Sequence, residues 1–242
     1  MAAMDEASVD VIVTSPPYNI GVDYWVHNDR MGAGDYLAWM ADVLEACERV
    51  LKPDGSFFLN IGGKPSNQVQ PILVISMAFG KGFIIQNTIH WIKSVAVDAV
   101  GANFGHFKPV NSRRYLSSCA ELIYHLTKRG DVPLRKFDVG TRYTDKRNIK
   151  RFKRGRSAGD LRDRGNTWFI PYETTRAARD HPAVFPVGLP LMCIKLHGLN
   201  TDMLVLDPFM GTGTTGRAAE LLGVDYIGFE VDPKYCEMAN RK

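Results

Sequence analysis

Cysteine is scarce in this sequence of 242 residues, which contains four. Cys47, Cys119, Cys193 and Cys236 are scattered and form no Cys-x-x-Cys pair, so neither a zinc knuckle nor a disulfide framework is indicated. The six histidines are equally dispersed and lack the spacing of a helical metal site. The sequence therefore predicts no bound metal.

Long apolar runs are also lacking. No segment approaches the roughly 20 apolar residues that a membrane helix needs, and the N-terminus carries acidic residues where a signal peptide would carry basic ones. With 45% hydrophobic and 23% charged residues, the chain can bury a sizeable core as one globular domain. We therefore expect a cytoplasmic protein.

Acidic residues are rare in one segment. Between Arg135 and Arg164 there are 12 Lys and Arg residues against 4 Asp and no Glu, a local charge of +8, whereas the rest of the chain has 18 basic and 22 acidic residues, or −4. A surface that contacts phosphates explains so local an excess better than a solvated basic surface, which stays the alternative.

The order of apolar segments predicts an α/β fold. A β-branched strand is predicted at 9–13 and ends at two prolines. A helical apolar pattern follows from Gly34 to Leu51, and Lys52–Gly55 end this helix. A buried strand then runs from Ser56 to Gly63. Later elements repeat this alternation, which implies a parallel sheet: helices at 68–81, 189–197 and 214–222, and strands at 83–92, 120–126, 203–207 and 226–230.

The basic segment shows little regular periodicity. We therefore divide the chain into a first half of the sheet domain (1–126), an inserted recognition segment (127–171) and a second half of the same domain (172–242).

A glycine-rich turn follows the predicted strand that ends at Asp207. Gly211 and Gly213 let the backbone approach a ligand closely, and the helix that begins at Thr214 presents free amide groups. Glu230 closes the next strand, 23 residues after Asp207, where its carboxylate can accept hydrogen bonds from both ribose hydroxyls of a nucleoside. The turn and the carboxylate together indicate a nucleoside cofactor.

The spacing Gly-x-Gly-x-x-Gly, completed by Gly216, keeps a nicotinamide dinucleotide as an alternative cofactor. Asp207 would place an acid where a pyrophosphate has to pass, which is electrostatically unfavourable. A cationic sulfonium ligand avoids this repulsion. The charges therefore favour S-adenosylmethionine.

A second loop, Thr14–Asn19, also follows a predicted strand, where open α/β sheets place their active sites. Two successive prolines stiffen the loop and direct a carbonyl outward. This carbonyl and the Ser15 hydroxyl can accept hydrogen bonds from an amino group and so aim its nitrogen lone pair at an incoming methyl group. Tyr18 offers a flat face for stacking an extruded base. A Pro-Pro turn with a packed tyrosine is the structural alternative.

These two motifs resemble those of amino-group DNA methyltransferases. Ser15–Tyr18 is similar to their catalytic tetrapeptide, Asp207–Gly213 to their cofactor motif, and His181–Pro186 to the segment beside the methionine part of the cofactor. The catalytic motif comes first here, as in the circularly permuted β group of restriction-modification methylases. The resemblance covers nearly the whole chain and implies a Rossmann-like S-adenosylmethionine-dependent methyltransferase sheet with helices on both faces.

The residues and the resemblance together give three sets of candidate site residues. The catalytic set is Ser15, Pro16, Pro17 and Tyr18. The cofactor-binding set is Asp207, Pro208, Phe209, Gly211, Gly213, Thr214 and Glu230. The basic side chains that we expect to contact DNA are Arg113, Arg114, Arg142, Arg147, Arg151 and Arg154.

The resemblance also bears on the target. In the family, Ser-Pro-Pro-Tyr usually accompanies cytosine N4 methylation and Asp-Pro-Pro-Tyr adenine N6 methylation, so Ser15 favours cytosine and adenine is the alternative. Cytosine C5 methylation would need a cysteine nucleophile, typically after proline, and the sequence has no Pro-Cys. The resemblance implies double-stranded DNA as the partner. It is also compatible with a cognate restriction endonuclease and with a homodimer. A basic segment does not distinguish DNA from RNA, so an RNA methyltransferase is a further alternative.

One departure from the family concerns the N-terminus. Family members normally begin earlier, with a strand and a Gly-Asp pair that contacts the adenine of the cofactor. This chain starts just before the strand of the catalytic motif, so we expect the sheet to lack an edge strand beside the one that ends at Glu230. The departure motivates a hypothesis from another class, a DNA-binding protein that does not transfer methyl groups.

Overall fold

The computed structural model describes residues 1–145, 160–172, 184–200 and 202–240. Its strands are β1 (Val9–Thr14), β2 (Leu51–Ile61), β3 (Ile84–Ile92), β4 (Ser94–Val97), β5 (Ala102–Gly105), β6 (Ala120–Thr127), β7 (Thr141–Arg142), β8 (Leu161–Arg162), β9 (Thr167–Phe169), β10 (Leu204–Asp207) and β11 (Asp225–Gly228). Its helices are α1 (Ala33–Val50), α2 (Val69–Gly80), α3 (Gly188–His197), α4 (Thr214–Leu222) and α5 (Pro233–Asn240), with a 3-10 turn at Asp98–Val100. Among the helices in these ranges, none is long and apolar enough to cross a membrane.

Seven of the strands in the described ranges form the central sheet, in the order β11-β10-β1-β2-β6-β3-β9. β1 is parallel to β10 and β2, and β10 is parallel to β11. β6 lies between β2 and β3 and is antiparallel to both, so the prediction of a parallel sheet is wrong for this strand. The reason is the connection: β3 leads to β6 through the β4–β5 hairpin and a loop, without the crossover helix that a parallel return requires.

Helices cover both faces of the sheet. On one face α1 packs through Tyr36 and Leu44 in a core that also contains residues of α2, and on the other α3 packs through Cys193 in a core that also contains residues of α4. Alternate residues of β1 serve the two layers, since Ile12 belongs to the first core and Val11 to the second. β1 is therefore buried from both sides up to Thr14 at its carboxyl end.

Two more differences from the sequence-based prediction concern β2 and α5. Lys52–Gly55 were expected to precede the strand, but β2 begins at Leu51 and contains them. The pairing of β1 jumps from Leu51 to Ser56, so the intervening residues form a bulge that accommodates a proline and a glycine. α5 was not predicted, although Asp232–Pro233 is a typical start of a helix, with a capping acid followed by proline at the first helical position.

Candidate active site

The two predicted motifs meet at one edge of the sheet. β1 and β10 are parallel neighbours, so the loops that follow Thr14 and Asp207 leave the sheet on the same side. The Thr14 hydroxyl donates a hydrogen bond of 2.6 Å to Oδ1 of Asp207, and the Thr215 hydroxyl donates one of 2.7 Å to Oδ2. One carboxylate therefore ties together the ends of β1 and β10 and the start of α4.

Asp207 and Gly213 lie behind the turn. Asp207 is 1% exposed, and burial raises its pKa to about 6 even though hydrogen bonds from two threonines and a backbone N–H act in the opposite direction. Gly213 has φ of +82°, and a Cβ there would lie 2.9 Å from the Cβ of Ala239 in α5. Neither residue lines the cavity in front of the turn. Their positions suit a role in holding the turn against the sheet and α5 better than direct contact with a ligand.

That cavity has a volume of about 440 Å³. The expected cofactor residues that line it are Pro208, Phe209, Gly211, Thr214 and Glu230. The Glu230 carboxylate accepts the backbone N–H groups of Gly211 and Asp232, each at 2.9 Å. β11 ends at Gly228, so Glu230 lies in the turn after the strand and does not close the strand as the sequence predicted. The carboxylate is therefore fixed in the cavity wall by the glycine-rich turn itself.

Sequence reasoning missed one wall of this cavity, which comes from the loop between β1 and α1. Tyr24, Val26 and His27 of the loop line the cavity together with Trp39 of α1. The ring centroids of His27 and Trp39 are 5.2 Å apart, and those of Trp39 and Phe209 are 5.3 Å apart. The density of aromatic residues in this loop, directly after a predicted active-site motif, was the available signal.

The same loop is held by hydrogen bonds at its base. Asp29 is buried, and its carboxylate accepts the backbone N–H groups of residues 19–22 at 2.7 to 3.0 Å. Asn19 has φ of +54°, and its side chain accepts the N–H of Met31 at 2.8 Å and donates to the carbonyl of Met31 at 2.9 Å. Asn19 therefore closes the turn that follows the Ser15–Tyr18 motif.

A second cavity, of about 550 Å³, adjoins the first. Pro16 and Tyr18 line the second cavity, Pro17 lines the first, and Ser15 lines both. The Tyr18 ring lies against Gly62, where a Cβ would come within 3.0 Å of Tyr18 Cε2. The two cavities therefore meet at Ser15, and the glycine makes room for the aromatic ring in the wall.

The segment similar to the methionine-side motif is described in part. Val184 and Phe185 line both cavities, which places them at the same junction as Ser15. Residues 181–183 lie outside the described residues.

The predicted DNA contacts are only partly within the described ranges. Arg113 and Arg114 are exposed in the loop between β5 and β6, and Phe107 and Lys108 of this loop line the second cavity. The Arg142 side chain is 82% exposed and lies 3.6 Å from the Asp160 carboxylate. Arg147, Arg151 and Arg154 lie outside the described residues, as does much of the basic segment.

The flanks of the proposed recognition segment belong to the body of the protein. Val132, Val139 and Trp168 are buried, and β9, which contains Trp168, extends the central sheet beside β3. The described flanks of 127–171 therefore pack into the sheet domain, residues 146–159 lie outside the described residues, and the division into three segments stays a prediction.

Comparison with known proteins assigns the family. Residues 9–241 match the model of the N6_N4 DNA methylases, so the chain belongs to this family, whose name includes both amino-group targets. The type II methyltransferase M.BglII of Bacillus subtilis is 30% identical over 241 residues, which make up 96% of this chain and 62% of that protein. The chain thus spans less than two thirds of the length of this relative.

Solved structures show the same fold. The PvuII DNA methyltransferase (cytosine-N4-specific) matches with a TM-score of 0.71 at 21% identity, over 99% of this chain and 80% of that chain. A DNA modification methylase of Thermus thermophilus, described as putative and solved in complex with S-adenosyl-L-methionine, matches with a TM-score of 0.62 at 24% identity, over 99% and 87%. The family and the Rossmann-like α/β fold predicted from the sequence are therefore confirmed, and the family does not support the nicotinamide alternative.

Proposed function

We propose that this chain is an S-adenosylmethionine-dependent methyltransferase that modifies the exocyclic amino group of a base in double-stranded DNA, with cytosine N4 favoured over adenine N6. The observation that carries the proposal is the junction at Ser15, where a cavity lined by Glu230 and the glycine-rich turn meets a cavity lined by Tyr18. A nucleoside methyl donor in the first cavity and a planar base in the second would share this junction.

The first cavity suits a nucleoside ligand in size and chemistry. Its volume of about 440 Å³ falls within the range of small-molecule sites. The Glu230 carboxylate has lone pairs left for ribose hydroxyls after accepting two backbone N–H groups. Trp39 and Phe209 supply ring surface for the apolar parts of the ligand. S-adenosylmethionine, the methyl donor of this family, supplies an electrophilic methyl group when bound.

Catalysis in this arrangement consists mainly of positioning. The Ser15 hydroxyl and the Pro16 carbonyl orient the amino group of an extruded base, and Tyr18 stacks on the base. The lone pair of the amino nitrogen is thereby directed toward the first cavity, and the proton that the amino group loses passes to solvent. No residue has to form a covalent intermediate.

Two features support the choice of substrate. Ser15 occupies the position where an aspartate usually accompanies adenine N6 methylation, which favours cytosine N4. The basic segment and the exposed Arg113 and Arg114 support a nucleic-acid partner. The cognate endonuclease and the homodimer stay predictions from the resemblance.

Methyl transfer from labelled S-adenosylmethionine to unmethylated duplex DNA and to RNA tests the proposal. We expect the wild type to label DNA, and Ser15→Ala to bind the cofactor equally well in calorimetry but to transfer about 100-fold more slowly, since a positioned hydrogen bond is lost. Label confined to RNA would indicate an RNA methyltransferase. DNA binding without cofactor binding would contradict the proposal and favour the hypothesis of a protein that only binds DNA.

A further inference from the structure

A buried ion pair lies in the wall of the second cavity, and the mechanism above does not use it. Lys93 is 6% exposed, and its ammonium group forms an ion pair with the Glu121 carboxylate. The ammonium also lies 4.8 Å from the ring centroid of Trp91 and 5.0 Å from that of Tyr172. Burial lowers the pKa of Lys93, but the Glu121 carboxylate and Tyr172 together outweigh this effect, and the net shift is upward. The lysine therefore stays charged and holds a carboxylate at the cavity wall.

The other oxygen of this carboxylate faces the hydroxyl of Tyr18. Tyr18 Oη lies 3.1 Å from Glu121 Oε2, 3.1 Å from Asn60 Oδ1 and 2.8 Å from Ser15 Oγ. Burial, and after it the Glu121 carboxylate, raise the pKa of Tyr18 well above its ordinary value, so the phenol keeps its proton. With the backbone carbonyl oxygen of Asn60 at 3.4 Å, four oxygen atoms thus surround a hydroxyl that has one proton to donate.

Counting protons fixes the direction of these hydrogen bonds. The Glu121 carboxylate is an acceptor only, and Asn60 presents its oxygen to Tyr18 because its amide nitrogen donates to the carbonyl of Leu122 at 3.1 Å. If Tyr18 donated to Ser15, two acceptor oxygens would face the lone pairs of the phenol at 3.1 Å. Donation from Tyr18 toward Glu121, with the serine proton in the bond between Ser15 and Tyr18, leaves the fewest acceptor oxygens facing the lone pairs of the phenol.

We propose that the Lys93–Glu121 pair sets the direction of the hydrogen-bond chain Ser15→Tyr18→Glu121, so that the serine oxygen presents only lone pairs to the amino group of the substrate base. This inference rests on the proposed function, in which that amino group must donate its hydrogens to Ser15. Lys93 and Glu121 act through Tyr18 and are positioning residues. They explain why a hydroxyl, which can donate or accept, behaves as an acceptor here.

Glu121→Gln tests the proposal with little change of shape. The amide oxygen of the new side chain turns toward the Lys93 ammonium, so its N–H group faces Tyr18 and the direction of the chain is no longer fixed. We expect kcat to fall about 10- to 100-fold, while the affinity for S-adenosylmethionine changes less than about twofold. Tyr18→Phe, which leaves no buried charge unpaired, should lower kcat similarly. Glu45→Gln, which breaks the exposed ion pair between Glu45 of α1 and Lys81 at the end of α2, is the matched control and should leave kcat unchanged.

Two further measurements separate positioning from a general structural role. In the Ser15→Ala background, Glu121→Gln should cause no additional loss of kcat, because the hydroxyl whose direction it sets is absent. The same fold loss in both backgrounds would overturn the proposal, as would an unchanged kcat in the wild-type background.

The second measurement is independent of activity. In protein labelled with 13Cζ-tyrosine, the Tyr18 resonance, assigned by its disappearance in Tyr18→Phe, should lie downfield as expected for a phenol that donates to a carboxylate, and Glu121→Gln should move it upfield. An unchanged resonance would contradict the proposal. A wild type without methyl transfer would refute the proposed function, and the resonance would still decide the direction of the chain.

Discussion

Asp207→Asn should remove a specific component of the pH dependence of stability. Burial raises the pKa of Asp207 to about 6 in the folded protein, against an ordinary value of 3.8 that applies to the unfolded chain. The folded state therefore favours the neutral carboxyl. The stability that this group contributes is fully present below the unfolded pKa and is lost as the pH rises through the folded pKa.

The magnitude follows from the difference of about 2.2 pKa units, which corresponds to about 3 kcal/mol over the whole range. Between about pH 4.5 and pH 7, the wild type should lose about 2 kcal/mol of unfolding free energy through Asp207. The neutral amide of Asp207→Asn lacks this component. The unfolding free energy of the variant minus that of the wild type should therefore rise by about 2 kcal/mol as the pH increases across the same interval. The loss of a threonine hydrogen bond in the variant shifts the whole difference curve and does not change this rise.

Urea unfolding at a series of pH values measures this difference directly. Other titrating groups, including the buried His125, are common to both proteins and cancel when the two curves are subtracted. Asp98→Asn, on the exposed turn of the β4–β5 hairpin, is the matched control for the replacement of a carboxylate by an amide. A flat difference curve for Asp207→Asn would show that Asp207 is ionised at no penalty, and the account of its burial would be wrong.

Three further predictions concern other parts of the molecule. Gly62→Ala places a Cβ 3.0 Å from the Tyr18 ring and should lower the rate of methyl transfer without changing cofactor affinity, which single-turnover assays and calorimetry can separate. Glu230→Gln replaces one acceptor oxygen by a donor and should weaken cofactor binding about tenfold or more in calorimetry; an unchanged affinity would remove Glu230 from the site. Burial, with a smaller contribution from His197, lowers the pKa of His125 to about 3 from 6.5, so its contribution is present above the unfolded pKa and is lost as the pH falls. The wild type should lose about 2.5 kcal/mol through this group between about pH 7 and pH 4.5, and His125→Gln should abolish that loss in urea unfolding.

The sequence was most informative where local patterns and a topological rule suffice. The strands that end at Thr14 and Asp207 were visible as apolar runs, and the rule that active loops follow the carboxyl ends of parallel strands brought their motifs together. Glu230 was found by its distance along the chain from the glycine-rich turn, although β11 ends two residues earlier than predicted. These features depend on short segments, which is why a single sequence reveals them.

The remaining features depend on strand register and tertiary contacts. Lys93 and Glu121 are far apart in the chain, and they meet because β6 enters the sheet antiparallel to β3, with Trp91 paired opposite Glu121. No local pattern predicts that register. The loop between β1 and α1, which forms one wall of the first cavity, similarly depends on Asp29. The Asp29 carboxylate accepts hydrogen bonds from the backbone N–H groups of residues 19–22, and no sequence pattern shows that these groups lie close to it.

The most direct test of the central claim is the identity of the methylated nucleoside. The protein should be incubated with methyl-labelled S-adenosylmethionine and unmethylated genomic DNA, and the DNA then digested to nucleosides that are separated and identified by mass. We expect label in N4-methylcytosine. Label in N6-methyladenine would keep the amino-group mechanism and contradict the inference from Ser15, and label in 5-methylcytosine or in no nucleoside would contradict the proposed function itself.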